Sequence, residues 1–134
     1  MNNLDVDNIA TPNTDSGAVD LTVLRSFEDP DAEEADDLVV ELIDLYLADA
    51  PLQLAATQEA LAKLDGPSIK RSVHILKGSS ASLGARTLPV LCEELEHLDC
   101  SNSFAQAETL LRQVENEFSR VCEEFVAERK RRSS

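Results

Sequence analysis

The stretch FAQAETLLRQVENEFSRVCEEF, residues 104–125, decides the fold. Phe104, Ala107, Leu111, Val114, Phe118, Val121 and Phe125 recur at intervals of three and four. That is the period of an α-helix with one apolar face. Continued toward residue 130 the helix would be roughly 35–40 Å long. Long helices joined by short connections favour antiparallel neighbours. The expectation is an all-α antiparallel up-and-down bundle.

Working outward, the other segments read as helices too. Ser101-Asn102-Ser103 is a turn, and Ser103 with Gln106 matches a capping box for the last helix. Before it, Leu88, Leu91, Leu95 and Leu98 share one face, with Thr87 placed to cap. Gly66-Pro67 stops one helix and starts another that runs to about Gly84. Pro51 stands where a helix start tolerates proline, so residues 32–49 and 51–63 read as two helices. Leu38, Leu42, Leu45 and Tyr46 form the expected apolar stripe of the first. A short helix falls between Val19 or Asp20 and Glu28, before the Asp29-Pro30 break. Residues 1–18 are polar and aperiodic and read as a flexible tail. The bundle is expected over 19–130, with 131–134 a short basic tail.

The 134 residues suit one domain. Hydrophobic residues make up 43% and aromatics 4%, with no Trp, so aliphatic side chains must fill the core. The formal net charge is −14, unevenly spread. Residues 1–66 hold sixteen acidic groups against Arg25 and Lys63, while 67–134 hold ten of each sign. Such an acidic chain lacks the basic footprint for nucleic acid and the attraction to anionic lipid. Arg129-Lys130-Arg131-Arg132 reads as a solvated helix end, where cations suit the macrodipole. No stretch approaches the ~20 apolar residues of a membrane span, and the first residues lack a signal peptide's basic start and apolar core. Cys92, Cys100 and Cys122 follow no zinc spacing and fit reduced thiols in a cytoplasmic protein. Cys92 and His97 are five apart and so diverge on a helix, which argues against a metal site.

The candidate site lies in His74-Ile-Leu-Lys-Gly-Ser-Ser-Ala-Ser-Leu-Gly-Ala85. At about 100° per residue, Ile69, Val73, Leu76, Ser80 and Leu83 form the core face. Ser80 there would let a neighbouring helix come close. His74, Lys77, Gly78, Ala81 and Ala85 fall on an adjoining face, which should be at least partly exposed. A mid-helix glycine costs about 1 kcal/mol relative to alanine, so Gly78 suggests that something must approach closely. No acidic residue occurs between Asp65 and Glu93, whereas Lys70, Arg71, Lys77 and Arg86 do. That field suits a phosphoryl group or an acidic partner.

Imidazole is a nucleophile that can form a covalent intermediate. A phosphoryl group moving to or from it needs in-line geometry and charge neutralisation on its oxygens. Lys77, one turn on, can supply one positive charge. The sequence shows no carboxylate cluster near His74 to hold magnesium and no Gly-rich phosphate loop for ATP. The chemistry read from these residues is that of a passive carrier whose partner brings the metal. His97 has no special surroundings.

His74-x-x-Lys77-Gly78-Ser79-Ser80-x-x-Leu83-Gly84-Ala85-x-x-Leu88 resembles the signature of histidine-containing phosphotransfer (HPt) domains of two-component phosphorelays. The segments Cys92–Glu96 and Glu41–Pro51 resemble the neighbouring helices of that family, so the likeness covers roughly residues 20–125. It implies a four-helix bundle with an extra N-terminal helix. It implies that His74 accepts a phosphoryl group from the aspartyl-phosphate of a receiver domain and passes it to the aspartate of another. Lys77 would assist the phosphoryl group, and Gly78 would give the receiver room. Arg71, Ala81, Ser82, Ala85 and Arg86 are rim contacts by position. The protein would need no cofactor of its own, because Mg²⁺ and the catalytic groups belong to the receiver. Its partners would be receiver domains of a hybrid histidine kinase and of response regulators, met as a monomer. Tyr46 stands where an aromatic, often Phe, is common in the family. Two other readings are an interaction module that docks on receivers without carrying phosphate, and the excised histidine domain of a chemotaxis-type kinase.

Overall fold

The computed structural model describes residues 17–28, 35–98 and 104–133, with the side chains of 35–37 and 133 left aside. Five helices follow in order: α1 (Leu21–Arg25), α2 (Ala35–Ala62), α3 (Gly66–Ser82), α4 (Leu88–His97) and α5 (Phe104–Ser133). Helix α2 packs on α3, α3 on α4, α4 on α5 and α5 back on α2, which closes a four-sided bundle. Cross-helix pairs fix the directions. Thr57 meets Ser72 and Tyr46 meets Ser80, so α2 and α3 run antiparallel. Gln58 meets Glu115 and Asp44 meets Arg129, so α2 and α5 do as well.

The α5 stripe is buried as its spacing predicts from Ala107 through Phe125, with Phe104 packed at its margin. The expected core face of α3 is buried throughout, and Leu88 and Leu95 of α4 are buried with Cys92 between them. Tyr46 and Ser80 share a 2.7 Å hydrogen bond in this core, and Tyr46 lies edge-on to Phe125. Burial pushes the Tyr46 phenol well above its ordinary pKa, so it stays neutral.

Helix α2 departs from expectation twice. It runs unbroken through Pro51. An interior proline costs about 3 kcal/mol locally, but Val39, Ile43, Tyr46 and Ala50 before it and Thr57 and Ala60 after it are all buried. Burial on both sides holds one helix together where local chemistry favours two. Of the expected stripe, Tyr46 is buried and Leu42 partly so, but the other two positions are not. Leu38 and Leu45 are 44% and 66% exposed, while Val39 and Ile43 are fully buried.

The start of α3 follows the predicted signal with one change of role. Leu64 takes the left-handed conformation (φ +55°) that ends α2, and the Asp65 amide reaches back to the Ala60 carbonyl. Asp65 then caps α3 by accepting from the Ser68 amide, and Gly66 and Pro67 form its first turn. Thr87 stands at the α4 N-cap, yet its side chain makes no capping bond. The proposed Ser103 capping box and Cys100 lie outside the described residues.

Both expected tails are shorter than the sequence suggests. Ala18 and Val19 are buried, and Val19 pairs with Ala85 in a single antiparallel bridge. The Glu124 carboxylate accepts both the Ala18 and Val19 amides at 2.8 and 3.0 Å. At the other end α5 continues through Ser133. Arg132 is nearly buried between Glu28 and Glu128, so part of the basic run is internal structure and not tail. Residues 1–16 of the expected tail lie outside the described residues. Among the described residues no helix is long and apolar enough to cross a membrane.

Candidate functional site

His74 lies mid-way along α3, flanked by the buried Val73 and by Ile75, which is about half exposed. Its own side chain is 63% exposed. The ring does not stand alone. Its Nδ1 is 2.8 Å from Oε2 of Glu96 on α4. The other oxygen of the same carboxylate accepts from the Lys77 ammonium at 2.7 Å, and Glu93 lies 3.9 Å from that ammonium. Glu96 and Lys77 are only 19% and 22% exposed, so the pair forms a recessed base beneath the open ring.

The electrostatics of the three groups agree. The Lys77 hydrogen bond, helped by His74, holds the Glu96 carboxyl below the usual carboxylate range. The reciprocal bond raises the Lys77 ammonium above its ordinary value. Glu96 is therefore ionised and can only accept. The proton of the Nδ1···Glu96 bond then belongs to the ring. In the neutral imidazole that leaves Nε2 bare, with its lone pair free to attack. Cys92 lies fully buried close by on α4, and burial pushes its thiol up to about 12, which keeps that floor uncharged.

Glu96 is the partner of His74 and Lys77 that the sequence reading did not single out. The run from Asp65 to Glu93 is free of acid along the chain but not in space, because α4 folds back and brings Glu93 and Glu96 to Lys77 and His74. A signal was available. His74 and Glu96 are equidistant from Ala85, and so are Lys77 and Glu93. In an antiparallel helical hairpin such positions face each other.

Of the proposed rim, Arg71, Gly78, Ala81 and Ser82 are exposed on α3, and Ser82 bonds back to the Gly78 carbonyl. Arg71 reaches Ser68 and lines a groove of about 390 Å³ between α2 and α3, together with Ile75. A Cβ placed on Gly78 would meet nothing within 4 Å, so packing inside the protein does not explain this glycine. Ala85 does not belong to the rim. It lies beyond the end of α3, buried under the N-terminal segment. Arg86 is half-buried there too, its amide bonded to Ala18 and its guanidinium 3.8 Å from Asp20. Helical extrapolation past Ser82 placed Ala85 on a face that the backbone has already left. Among the described residues no group of three or more His, Cys, Asp and Glu could hold a metal ion.

The antiparallel four-helix bundle, with His74 exposed midway along α3, can be set beside known proteins. The Hpt domain family matches residues 41–124. The chain is similar to the solved structure of histidine-containing phosphotransfer protein B (HptB) from Pseudomonas aeruginosa, with a TM-score of 0.74 and 29% identity over 87% of this chain and 97% of that one. It shares its fold with a rice protein assigned to the histidine-containing phosphotransfer proteins, with a TM-score of 0.66 and 21% identity over 90% of this chain and 87% of that one. No curated protein matches. The chain belongs to the Hpt domain family, the histidine phosphotransfer domains of phosphorelays.

Proposed function

We propose that His74 is the phosphoryl carrier of a relay between two receiver domains. The observation that carries this reading is the geometry at the ring. Nδ1 is engaged by an ionised carboxylate, and Nε2 is left bare on an open helix face. The Nε2 lone pair attacks the phosphorus of an aspartyl-phosphate in line. The N–P bond forms as the acyl O–P bond breaks, and the aspartate leaves as a carboxylate. The ring keeps its Nδ1 proton and becomes cationic, and Glu96 offsets that charge. The return step onto a second aspartate reverses the same bonds.

The protein itself needs only to present the ring. The receiver brings the acceptor aspartate and the Mg²⁺ that neutralises the equatorial oxygens. Gly78, one turn beyond His74, leaves room for that receiver, and Arg71, Ala81 and Ser82 border the approach. Such a carrier works in the cytoplasm, beside the receivers of a hybrid kinase and of its response regulator.

The test is phosphotransfer from a phosphorylated receiver domain in the presence of Mg²⁺. Wild-type protein is expected to take acid-labile, base-stable label, and His74→Gln none. Label that persists in the variant overturns the proposal.

A further inference from the structure

We infer that the outward face of α2 selects the receiver that reaches His74, and does so by charge. Leu45 and Leu52 take the apolar side of a helix on the incoming domain, and Glu41 and Asp49 favour a helix flanked by lysine or arginine. The inference rests on the relay reading and deepens it by naming the chemistry of the partner. Leu38, Leu45 and Leu52 recur every seven residues and so form one row along α2. Core packing falls to Val39, Ile43, Tyr46 and Ala50, and the row is left open, with Leu45 and Leu52 66% and 65% exposed. The buried pairs Tyr46–Ser80 and Thr57–Ser72 set its height. They bring Asp49 level with Gly78, and Leu52 level with the half-exposed Ile75. The row on α2 and the open face beside His74 are thus parts of one surface. A straight apolar row at this spacing is what a second helix lies along.

Charge decides what covers the row. From Leu38 to Ala62, α2 carries Glu41, Asp44, Asp49 and Glu59 and no lysine or arginine. Asp44 is paired with Arg129 of α5, and Glu59 with Lys63. Glu41 and Asp49 are exposed and form no ion pair among the described residues. They flank Leu45 about one turn to either side. Glu41, Asp44 and Leu45 line a hollow of about 300 Å³, wide enough for an apolar side chain. A second copy of this chain would set two such rows face to face and oppose acid with acid, which costs affinity. A helix with cations beside its apolar row gains where the copy loses. The sign reverses along the surface. Lys70 and Arg71 are exposed on α3 in the turn before His74, whereas Asp49 is level with the turn after it. The face therefore has a direction, and a receiver docks on it one way round.

The test measures binding apart from transfer. Unphosphorylated receiver domains of hybrid kinases and response regulators are titrated against His74→Gln protein, and the tightest binder is kept. Adding Glu41→Lys with Asp49→Lys is expected to weaken that receiver roughly tenfold at low salt. The difference should vanish as salt rises toward about 1 M. Adding Leu45→Ala with Leu52→Ala should weaken it at least as much at every salt concentration. Glu94→Lys with Glu123→Lys makes the same change of charge at exposed positions of α4 and α5 and should leave binding unaltered. Every substituted position is exposed, so the fold is expected to hold. An equal loss from the α4 and α5 pair, or no loss from the α2 pair, overturns the inference, as does a set of receivers none of which binds. So does a dimer of wild-type protein in sedimentation that Leu45→Ala with Leu52→Ala dissolves, because a second copy then covers the row. Phosphotransfer to wild-type protein is run beside the titrations. Charge-selective binding without label ends the relay reading and leaves the docking face standing. Label with charge-blind binding does the reverse.

Discussion

Gly78 and Gly84 lie less than two turns apart along the chain, and they exist for opposite reasons. The face around Gly78 is open, and a Cβ there would touch nothing within 4 Å. At Gly84 the backbone turns with φ +99°, and a Cβ would come within 2.6 Å of the Asp20 carbonyl oxygen. One glycine stands on a face that the protein itself leaves open. The other lets the protein close on itself, with the Gly84 carbonyl accepting the Asp20 amide at 2.7 Å and α1 seated over the end of α3. In sequence the two belong to one run of small residues around a histidine. Only the fold divides that run into an open region and a region of closure.

The largest effect should come from closing the wrong space. Gly84→Ala forces a side chain into a left-handed backbone and onto the Asp20 carbonyl. A loss of about 2–4 kcal/mol is expected, a fall in melting temperature on the order of 10 °C. The fraction that stays folded should still take phosphate on His74. A melting temperature within a degree or two of wild type would mean that the N-terminal closure contributes little.

A smaller loss is expected from Glu124→Ala, which removes the acceptor of the Ala18 and Val19 amides. Leaving two mostly buried donors unpaired should cost about 1–3 kcal/mol. Urea titration measures it. Hydrogen exchange should show faster exchange confined to residues 18–25, whereas a uniform change over the bundle would sink the idea of a local clasp.

Acid should loosen the same region. Burial raises the Glu128 carboxyl, but hydrogen bonds from Arg131 and Arg132 outweigh that and hold it below its ordinary value. Its contribution to stability is complete above the unfolded carboxylate pKa of about 4.3 and is lost as pH falls through the depressed folded value. Stability followed from pH 6 downward should decline less steeply in Glu128→Gln than in wild type. Parallel curves would remove Glu128 from the account.

The open region should respond the other way. Gly78→Ala should stabilise the helix by up to about 1 kcal/mol, because nothing in the protein occupies the space, and Gly78→Gln should leave the fold intact. Both should slow transfer from a phosphorylated receiver, the glutamine more. An unchanged rate for Gly78→Gln would show that no partner uses this face.

Several elements of the molecule were legible in its sequence. The α5 stripe and the core face of α3 follow from a period of three and four, because each is the one apolar row on its helix. That row also placed His74 off the core. In α2 two apolar rows lie side by side, Leu38 with Leu45 and Val39 with Ile43, and both have helical spacing. Periodicity has no means of ranking them. Pro51 misled for a related reason, since its local cost is plain in sequence while the burial that outweighs it is spread over six side chains along the helix. Ala85 was assigned by extending a helix past its end. Glu96 was in plain view, in a helix with an ordinary apolar face, and only the hairpin gives it a role.

The hairpin has one more consequence. Connections between helices are normally where a protein best tolerates gain or loss of residues. The link from Leu83 to Thr87 has no such freedom. It acts as a ruler, because the opposition of His74 and Glu96 depends on equal lengths of chain on either side of Ala85. One residue inserted there would turn α4 by about 100° and slide it by about 1.5 Å, or else leave α4 seated and push a loop outward over the Val19–Ala85 bridge. In the first case the carboxylate swings away from the ring. In the second the closure over Gly84 is broken. This short link thus answers to both of its ends, and its length is as much a part of the site as the histidine.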